Sequence, residues 1–265
     1  MSQPHARITA AIRATTAGGS TALVPYITAG YPRKDQFIAT LKEIAREADV
    51  VEVGVPFSDP MADGVTIQRA SHAAIGAGVS LRWILRELAA AAPFEAPIVL
   101  MSYLNPLLNL GYAELARASL PAGVCGFIVP DLPIEESADL AAALDAEGLA
   151  LIQLVTPATP PERLKKLCGA SQGFVYAVTV TGITGGAKEL PPGVTDYLER
   201  VRALTTLPVC AGFGVRRAEQ VRSLAPHTDG VIVGSALVEQ LEANADPVAF
   251  LRGLRSQGRQ GGSTP

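Results

Sequence analysis

The strongest constraint on the fold is a regular alternation between short apolar runs and longer segments with helical periodicity. Runs of Val, Ile and Leu without polar alternation are typical of parallel strands buried on both faces, and such strands are joined by covering helices. Strands are predicted at residues 22–27, 49–53, 97–101, 124–129, 149–154, 173–177, 208–211 and 229–233. Helices are predicted at residues 34–47, 65–77, 80–91, 111–119, 134–146, 160–168, 193–204, 216–224, 235–243 and 246–256.

This alternation fits either an open doubly wound sheet or a closed barrel. Because the chain lacks an NAD-type glycine fingerprint, we favour an α/β fold consisting of a single (β/α)8 TIM barrel with additional helices. The 265 residues suit one such barrel, so we expect a catalytic domain over 1–257 and a flexible, glycine-rich tail over 258–265. Pro25 breaks the pattern, since it lies inside the first strand and cannot donate a ladder hydrogen bond.

Composition argues against several classes of function. The formal net charge of −3 and the scattered Lys and Arg residues give no basic surface for nucleic acid. Three cysteines and three histidines are too widely spaced to favour disulfides, a zinc site or a His-centred triad. The amino terminus lacks the apolar stretch of a secretory signal, and no apolar run is long enough for a bilayer span. We therefore expect a cytoplasmic protein that binds neither membrane nor nucleic acid.

Two carboxylates stand where a barrel carries its chemistry, at the carboxyl end of a strand and in the loop that follows. Glu52 lies in the apolar run DVVEVGVP, where burial should raise its pKa and suit it to general acid or base catalysis. The alternative is a Glu that pairs with Arg or Lys at the barrel rim. Asp63, in the loop GVPFSDPMADG, could face Glu52 across a pocket or could cap the helix that follows. Asp59 is interpreted as a turn residue before Pro60.

Glycines after the last two strands indicate an anion site. Gly212, Gly214 and Gly234 allow backbone N–H groups to approach a ligand closely, and a helix beginning at Ser235 directs its positive end to the same place. The loops after strands seven and eight are the usual phosphate position in such barrels. The alternative is that these glycines only make tight turns and that Ser235 only caps its helix.

The loop TVTGITGGAKELPPG after the sixth strand is long for a connection in a barrel and contains four glycines. It could close over a phosphate ester as a lid that excludes water. Tyr176 comes just before this loop, where a tyrosine is more often part of the core than a ligand contact.

The motifs VEVGVPFSDPMADG, VPDLPIEES, VTVTGITGG, CAGFGV and VGSAL occur in this order between residues 22 and 256. In this combination the chain resembles the alpha subunits of tryptophan synthase. The resemblance implies a lyase that cleaves indole-3-glycerol phosphate to indole and glyceraldehyde 3-phosphate by a retro-aldol reaction. It implies that Glu52 protonates the indole ring carbon and that Asp63 stabilises the positive charge developing at the indole nitrogen.

The resemblance also implies further contacts and partners. Tyr176 would border the indole pocket, and Thr184 would belong to the lid and contact Asp63 on closure. Phosphate contacts are implied for Gly185, Gly214, Gly234 and Ser235. No cofactor is expected on this chain, because the family works in an alpha2beta2 tetramer with a pyridoxal-phosphate beta subunit that receives the indole. The loop from Pro56 to Asp59 would help to form that contact.

The chain departs from the family pattern at Val180, where some relatives have Arg, at Gly186, where Ala is usual, and at Val65, where Pro commonly follows Asp-Gly. These departures concern lid mobility and coupling rather than the two carboxylates. Other functions remain open at this point. They are another phosphate-handling barrel such as a sugar-phosphate isomerase or epimerase, a stand-alone lyase of the same family, and a catalytically silent partner that only activates a beta subunit.

Overall fold

A computed structural model describes residues 3–179, 192–212 and 214–255. Its parallel strands form one sheet with the hydrogen-bonded order β5-β4-β3-β2-β1-β9-β8-β7-β6. The strands are β1 (Ala22–Thr28), β2 (Val51–Gly54), β3 (Ile98–Met101), β4 (Val124–Ile128), β5 (Ala150–Ile152), β6 (Leu154–Val155), β7 (Val175–Val178), β8 (Val209–Gly212) and β9 (Gly230–Val233).

The two strands at the ends of this order are consecutive in the chain, because only Gln153 separates β5 from β6. The backbone N–H of Gln153 donates to the Ser171 hydroxyl at 3.0 Å, and its carbonyl accepts from the Tyr176 N–H at 3.0 Å. The strand predicted at 149–154 is thus divided in two at Gln153, because the N–H of this residue donates to a side chain instead of a neighbouring strand. The sheet closes on itself through this segment, and the TIM-barrel prediction is confirmed.

Twelve α-helices lie among the described residues, and most agree with the predicted segments to within a few residues. Short 3₁₀ turns occupy the starts of the segments predicted at 34–47 and 134–146. The helices are α1 (Pro4–Ala17), α2 (Phe37–Glu47), α3 (Val65–Gly76), α4 (Leu81–Ala91), α5 (Leu104–Leu110), α6 (Tyr112–Ser119), α7 (Ala138–Asp145), α8 (Pro161–Ala170), α9 (Val194–Arg202), α10 (Ala218–Leu224), α11 (Ser235–Glu242) and α12 (Pro247–Arg255).

Helices α1 and α5 were not predicted. In α1, Pro4 occupies the first turn, and Ile8 and Ile12 lie one turn apart on a single buried face. These two side chains belong to the cluster of barrel residues that includes Val24 and Phe174. Helix α1 therefore covers part of the barrel core, which explains why a segment of low overall hydrophobicity is ordered.

Pro25 lies in β1 at the point where the pairing with β9 ends and the pairing with β2 begins. The strand pairs with β9 from Ala22 to Pro25 and with β2 from Tyr26 to Thr28. Two residues before Pro25, the Leu23 N–H donates to the Asp49 side chain at 2.7 Å, and the Leu23 carbonyl accepts from the Asp49 N–H. The missing donor of Pro25 thus falls where the ladder with β2 is only beginning.

The main hydrophobic core lies between the sheet and the surrounding helices, and a second cluster fills the barrel interior. All three cysteines are buried and free. Within the described ranges, no helix combines the length and the apolar character needed to cross a membrane. The single domain over 1–257 stays a prediction, and the tail at 258–265 lies outside the described residues.

Candidate active site

A cavity of about 490 Å³ opens at the carboxyl ends of the strands. It collects residues from several strands and from the loops that follow them, as expected for the functional end of a barrel. Its walls bring together Glu52, Asp63 and Tyr176 with Gly214, Gly234 and Ser235, which the sequence assigned separately. The remaining lining residues are Tyr26, Met61, Ala62, Gly64, Ile67, Met101, Pro130, Leu154, Val178, Gly212 and Ile232.

Glu52 occupies the second position of β2, in register with Tyr26 of β1 and Val99 of β3. Only 1% of the residue is exposed, and among the described residues its Oε2 atom has no hydrogen-bond partner. Burial, and secondarily the nearby Asp63 carboxylate, raises the pKa of Glu52 to about 8. Among the described residues no Lys or Arg forms an ion pair with it, so that part of the chain gives no support for the rim-pairing alternative. Glu52 is therefore mainly protonated at neutral pH.

Asp63 lies in the loop between β2 and α3 and is half-buried. Burial raises the pKa of Asp63, while a hydrogen bond from the Tyr103 hydroxyl opposes that rise. The same hydroxyl accepts the backbone N–H of Ala62 at 2.9 Å, which fixes the loop beside the cavity. Helix α3 has Gly64 as its N-cap and receives no side-chain cap, so the interpretation of Asp63 as a helix cap is wrong. Its carboxylate is available to the cavity.

Two buried tyrosines next to the carboxylates, Tyr26 and Tyr103, were not predicted as site residues. Tyr26 is the in-register neighbour of Glu52, and its hydroxyl lies 3.4 Å from Thr28 Oγ1. A Cβ atom at Gly54 would come within 2.0 Å of that hydroxyl, so glycine there makes room for it. Burial and the charge of Asp63 raise the pKa of Tyr26 far above its usual range and keep it neutral. Tyr26 lies within the first apolar run, but only the strand register shows that it is the neighbour of Glu52.

Tyr176 projects from β7 into the same cavity and contacts the first of the predicted phosphate glycines. A Cβ atom at Gly212 would lie 2.6 Å from the Tyr176 ring. Gly212 is therefore needed for this packing, whatever else it contacts. Burial, with the Glu52 charge next in effect, holds the pKa of Tyr176 well above its usual value, so its hydroxyl is neutral.

Gly214, Gly234 and Ser235 also line the cavity. Gly214 has a φ of +57°, which favours glycine. Gly234 is the N-cap of α11 and Ser235 its first residue, so the interpretation of Ser235 as the cap is wrong. In the described part of the chain no side chain caps this helix. Of the residues that the structure describes, Tyr26 would lie nearest to a Cβ atom at Gly234, at 3.9 Å. The start of α11 thus lies in the cavity wall, and the unpaired N–H groups of a helix N-terminus favour an anion.

Thr184 and Gly185 lie outside the described residues, as do Val180 and Gly186. The roles predicted for Thr184, Gly185 and the lid loop therefore stay predictions. What the described residues bring together is a protonated carboxyl, a second carboxylate and a helix N-terminus around one cavity. Such a set can protonate a substrate, stabilise a developing cation and bind an anionic group.

Comparison with known proteins identifies the family. The profile described as tryptophan synthase alpha chain matches residues 12–254, which is more than half of the sequence. The chain belongs to the tryptophan synthase alpha chain family.

Relatives in this family are similar over nearly their whole length. The tryptophan synthase alpha chain of Desulfovibrio desulfuricans is 46% identical over 244 residues, which cover 91% of this chain and 96% of the relative. The alpha chain of Roseiflexus castenholzii is 45% identical over 248 residues, covering 90% of this chain and 95% of the relative. The resemblance inferred from the motifs is confirmed.

Solved structures agree with this assignment. A chain of Mycobacterium tuberculosis tryptophan synthase superposes with a TM-score of 0.88 at 37% identity, covering 96% of this chain and 99% of that chain. The alpha subunit from Legionella pneumophila gives a TM-score of 0.84 at 34% identity, with coverage of 95% and 98%. As a tryptophan synthase alpha chain, the protein is a carbon–carbon lyase of tryptophan biosynthesis that cleaves indole-3-glycerol phosphate. The family also implies a beta subunit as its partner.

Proposed function

We propose that Glu52 is the general acid and Asp63 the electrostatic partner in the retro-aldol cleavage of indole-3-glycerol phosphate. The observation that carries this assignment is the complete burial of Glu52, which keeps a proton on the carboxyl near neutral pH. Asp63 is less buried and has a hydrogen bond from Tyr103 that favours its charged form. The proposed roles require a protonated Glu52 and an ionised Asp63.

In the first step, Glu52 gives its proton to the indole ring carbon that bears the glycerol phosphate side chain. The ring nitrogen becomes positively charged, and the Asp63 carboxylate stabilises that charge. The carbon–carbon bond to the side chain then breaks, and its electron pair returns to the ring and restores indole. The side-chain hydroxyl loses its proton to the newly formed Glu52 carboxylate and becomes the aldehyde of glyceraldehyde 3-phosphate. Glu52 ends the cycle protonated.

The other end of the substrate is held by backbone groups. We assign the phosphate to the first turn of α11 at Gly234 and Ser235 and to the loop at Gly214, with Gly185 as a further predicted contact. Helix N-termini favour anions through their unsatisfied N–H groups and their dipole. The position of Gly214, Gly234 and Ser235 in the wall of the same cavity as Glu52 and Asp63 supports this assignment. Tyr176 would border the indole ring, and Thr184 would reach Asp63 from the lid loop.

The partner proposed to receive the indole is a beta subunit that carries pyridoxal phosphate, with two copies of each subunit in the complex. A second cavity of about 490 Å³ supports a docking position outside the barrel, where Pro56 and Phe57 line it with Asn105 and Asn109. Phe57 stacks on Tyr103 with ring centroids 5.0 Å apart. Tyr103 in turn contacts the Asp63 loop, so a partner that binds Phe57 would touch a neighbour of the catalytic carboxylate. The cytoplasmic location stays a prediction.

The test is to follow indole release from indole-3-glycerol phosphate by the purified chain, alone and with a tryptophan synthase beta subunit. We expect cleavage by the chain alone and faster cleavage in the complex. Cleavage that a beta subunit leaves unchanged would favour a stand-alone lyase. No cleavage under either condition would contradict the proposed chemistry and favour a catalytically silent partner.

A further inference from the structure

One carboxylate outside the cavity joins three segments that carry site residues. Glu239, on α11, accepts from the Arg216 guanidinium through both oxygens, at 2.6 Å and 3.0 Å. It also accepts the Thr66 hydroxyl at 3.2 Å. Thr66 belongs to α3 and Arg216 to the loop between β8 and α10. We call these three residues, Thr66, Arg216 and Glu239, the Glu239 clasp.

Each residue of the clasp lies close in sequence to a residue of the proposed site. Thr66 lies three residues after Asp63, Arg216 two residues after Gly214, and Glu239 one helical turn after Ser235. The clasp thus links the segment that carries the catalytic carboxylate to both segments that carry the proposed phosphate contacts. No member lines the cavity itself.

A second set of contacts joins the same two helices beside the clasp. Glu242 lies three residues after Glu239 on α11 and accepts from Arg69 of α3 at 2.9 Å and 2.7 Å. It also accepts the Tyr31 hydroxyl from the loop after β1. Residues three apart lie on the same side of a helix, so α3 and α11 are joined along one edge by matching pairs.

Arg216 and Glu239 are both charged at neutral pH. Hydrogen bonds from Arg216 hold the pKa of Glu239 below its usual value, and the pair raises the pKa of Arg216. The two side chains are 37% and 35% exposed, however, and ion pairs this exposed contribute little to overall stability. Bidentate geometry does fix orientation. The role to be expected is therefore positioning rather than stabilisation.

We propose that Glu239 is a positioning residue that holds the phosphate-binding segments and the Asp63 loop at a fixed separation, so that both ends of one substrate are bound at once. The proposal rests on the function assigned above. The supporting shell of a site must hold its contacts to within about 0.5 Å, and a direct link between the two ends serves that purpose. The clasp acts through Asp63, Gly214 and Ser235 and touches no substrate itself.

The test separates KM from kcat in three variants of the isolated full chain. Arg216→Met frees the Gly214 loop from α11, so we expect KM for indole-3-glycerol phosphate to rise about fivefold with little change in kcat. Thr66→Val removes one hydroxyl beside the Asp63 loop, so we expect kcat to fall about threefold with little change in KM. Glu239→Ala should show both effects. Binding of glycerol 3-phosphate, measured by calorimetry, should weaken about fivefold in Arg216→Met.

The matched control is Arg163→Met, which breaks a bidentate pair with Glu135, with distances of 2.9 Å and 3.0 Å, away from the cavity. Kinetic constants and glycerol 3-phosphate affinity of Arg216→Met and Glu239→Ala that match this control would overturn the proposal. The proposal would also be overturned if all variants lost activity equally and in proportion to the decrease in their thermal unfolding midpoints. Failure of the wild-type chain to cleave substrate would instead contradict the proposed function, and the calorimetric comparison would still decide on the clasp.

Discussion

The two groups of cavity residues proposed to bind the two ends of the substrate are built on different principles. At one end Glu52 and Asp63 present side-chain carboxyls, and burial raises the pKa of both. At the other end Gly234 and Gly214 present backbone, and the absence of side chains leaves room for an anion. The carboxyl end should therefore be sensitive to the loss of a single proton or charge. The glycine end should be sensitive to the gain of a single methyl group.

The largest effect is expected from Glu52→Gln. Gln keeps the size of the side chain but cannot give up a proton as an acid, so kcat should fall by at least about 100-fold, with KM little changed. Steady-state indole release measures both constants. Glu95→Gln, at an exposed position before β3, is the matched control and should behave as wild type. Undiminished turnover in Glu52→Gln would remove this residue from the mechanism.

Asp63→Asn should be next in size. The variant keeps the shape of the side chain and loses the charge proposed to face the indole nitrogen, so kcat should fall about tenfold to a hundredfold. Because the Asp63 charge contributes to the raised pKa of Glu52, the alkaline limb of the pH–rate profile should also move to lower pH. A profile that keeps the wild-type limb would show that the two carboxyl groups do not interact.

Gly234→Ala probes the glycine end. The nearest atom to the new methyl group would be 3.9 Å away, so the chain itself should tolerate it and the unfolding midpoint should stay unchanged. The bound phosphate should not tolerate it, and we expect KM to rise about tenfold while kcat changes little. An unchanged KM would contradict the assigned anion site.

Gly212→Ala is expected to act on the fold and less on the ligand. Its methyl group would meet the Tyr176 ring at 2.6 Å, so the free energy of unfolding should fall by about 1–3 kcal/mol. Urea denaturation measures this loss. Gly76→Ala at the end of α3, where nothing lies within 4 Å, serves as the control. Equal stability of the two variants would show that Tyr176 moves aside freely.

Much of this organisation could be predicted from the sequence. The apolar runs and their spacing predict the barrel because strands buried on both faces have few other places to go. The burial of Glu52 follows from its position among valines. The break at Gln153 could not be predicted, because it depends on a Ser171 hydroxyl distant in sequence that replaces a ladder bond.

The residues that support the site could not be predicted from the sequence, for a similar reason. Tyr26 and Tyr103 are ordinary aromatic residues in apolar surroundings, and only the pairing of β1 with β2 and the path of the Asp63 loop bring them to the carboxylates. Asp63 itself was ambiguous, since an acidic residue just before a helix is a good cap by local rules. The structure gives the cap position to Gly64 and leaves the carboxylate to the cavity.

The proposed mechanism depends most on the proton that Glu52 retains. The rate of a single turnover of indole-3-glycerol phosphate as a function of pH tests this directly. A pKa of about 8 predicts a rate that holds through neutral pH and then falls, approaching tenfold per pH unit above that value, as the acid form is lost. A carboxyl with its ordinary pKa near 4.5 would already be deprotonated at neutral pH. A rate that falls from about pH 5 upward, or stays level beyond about pH 9, would contradict the assignment of Glu52 as the acid.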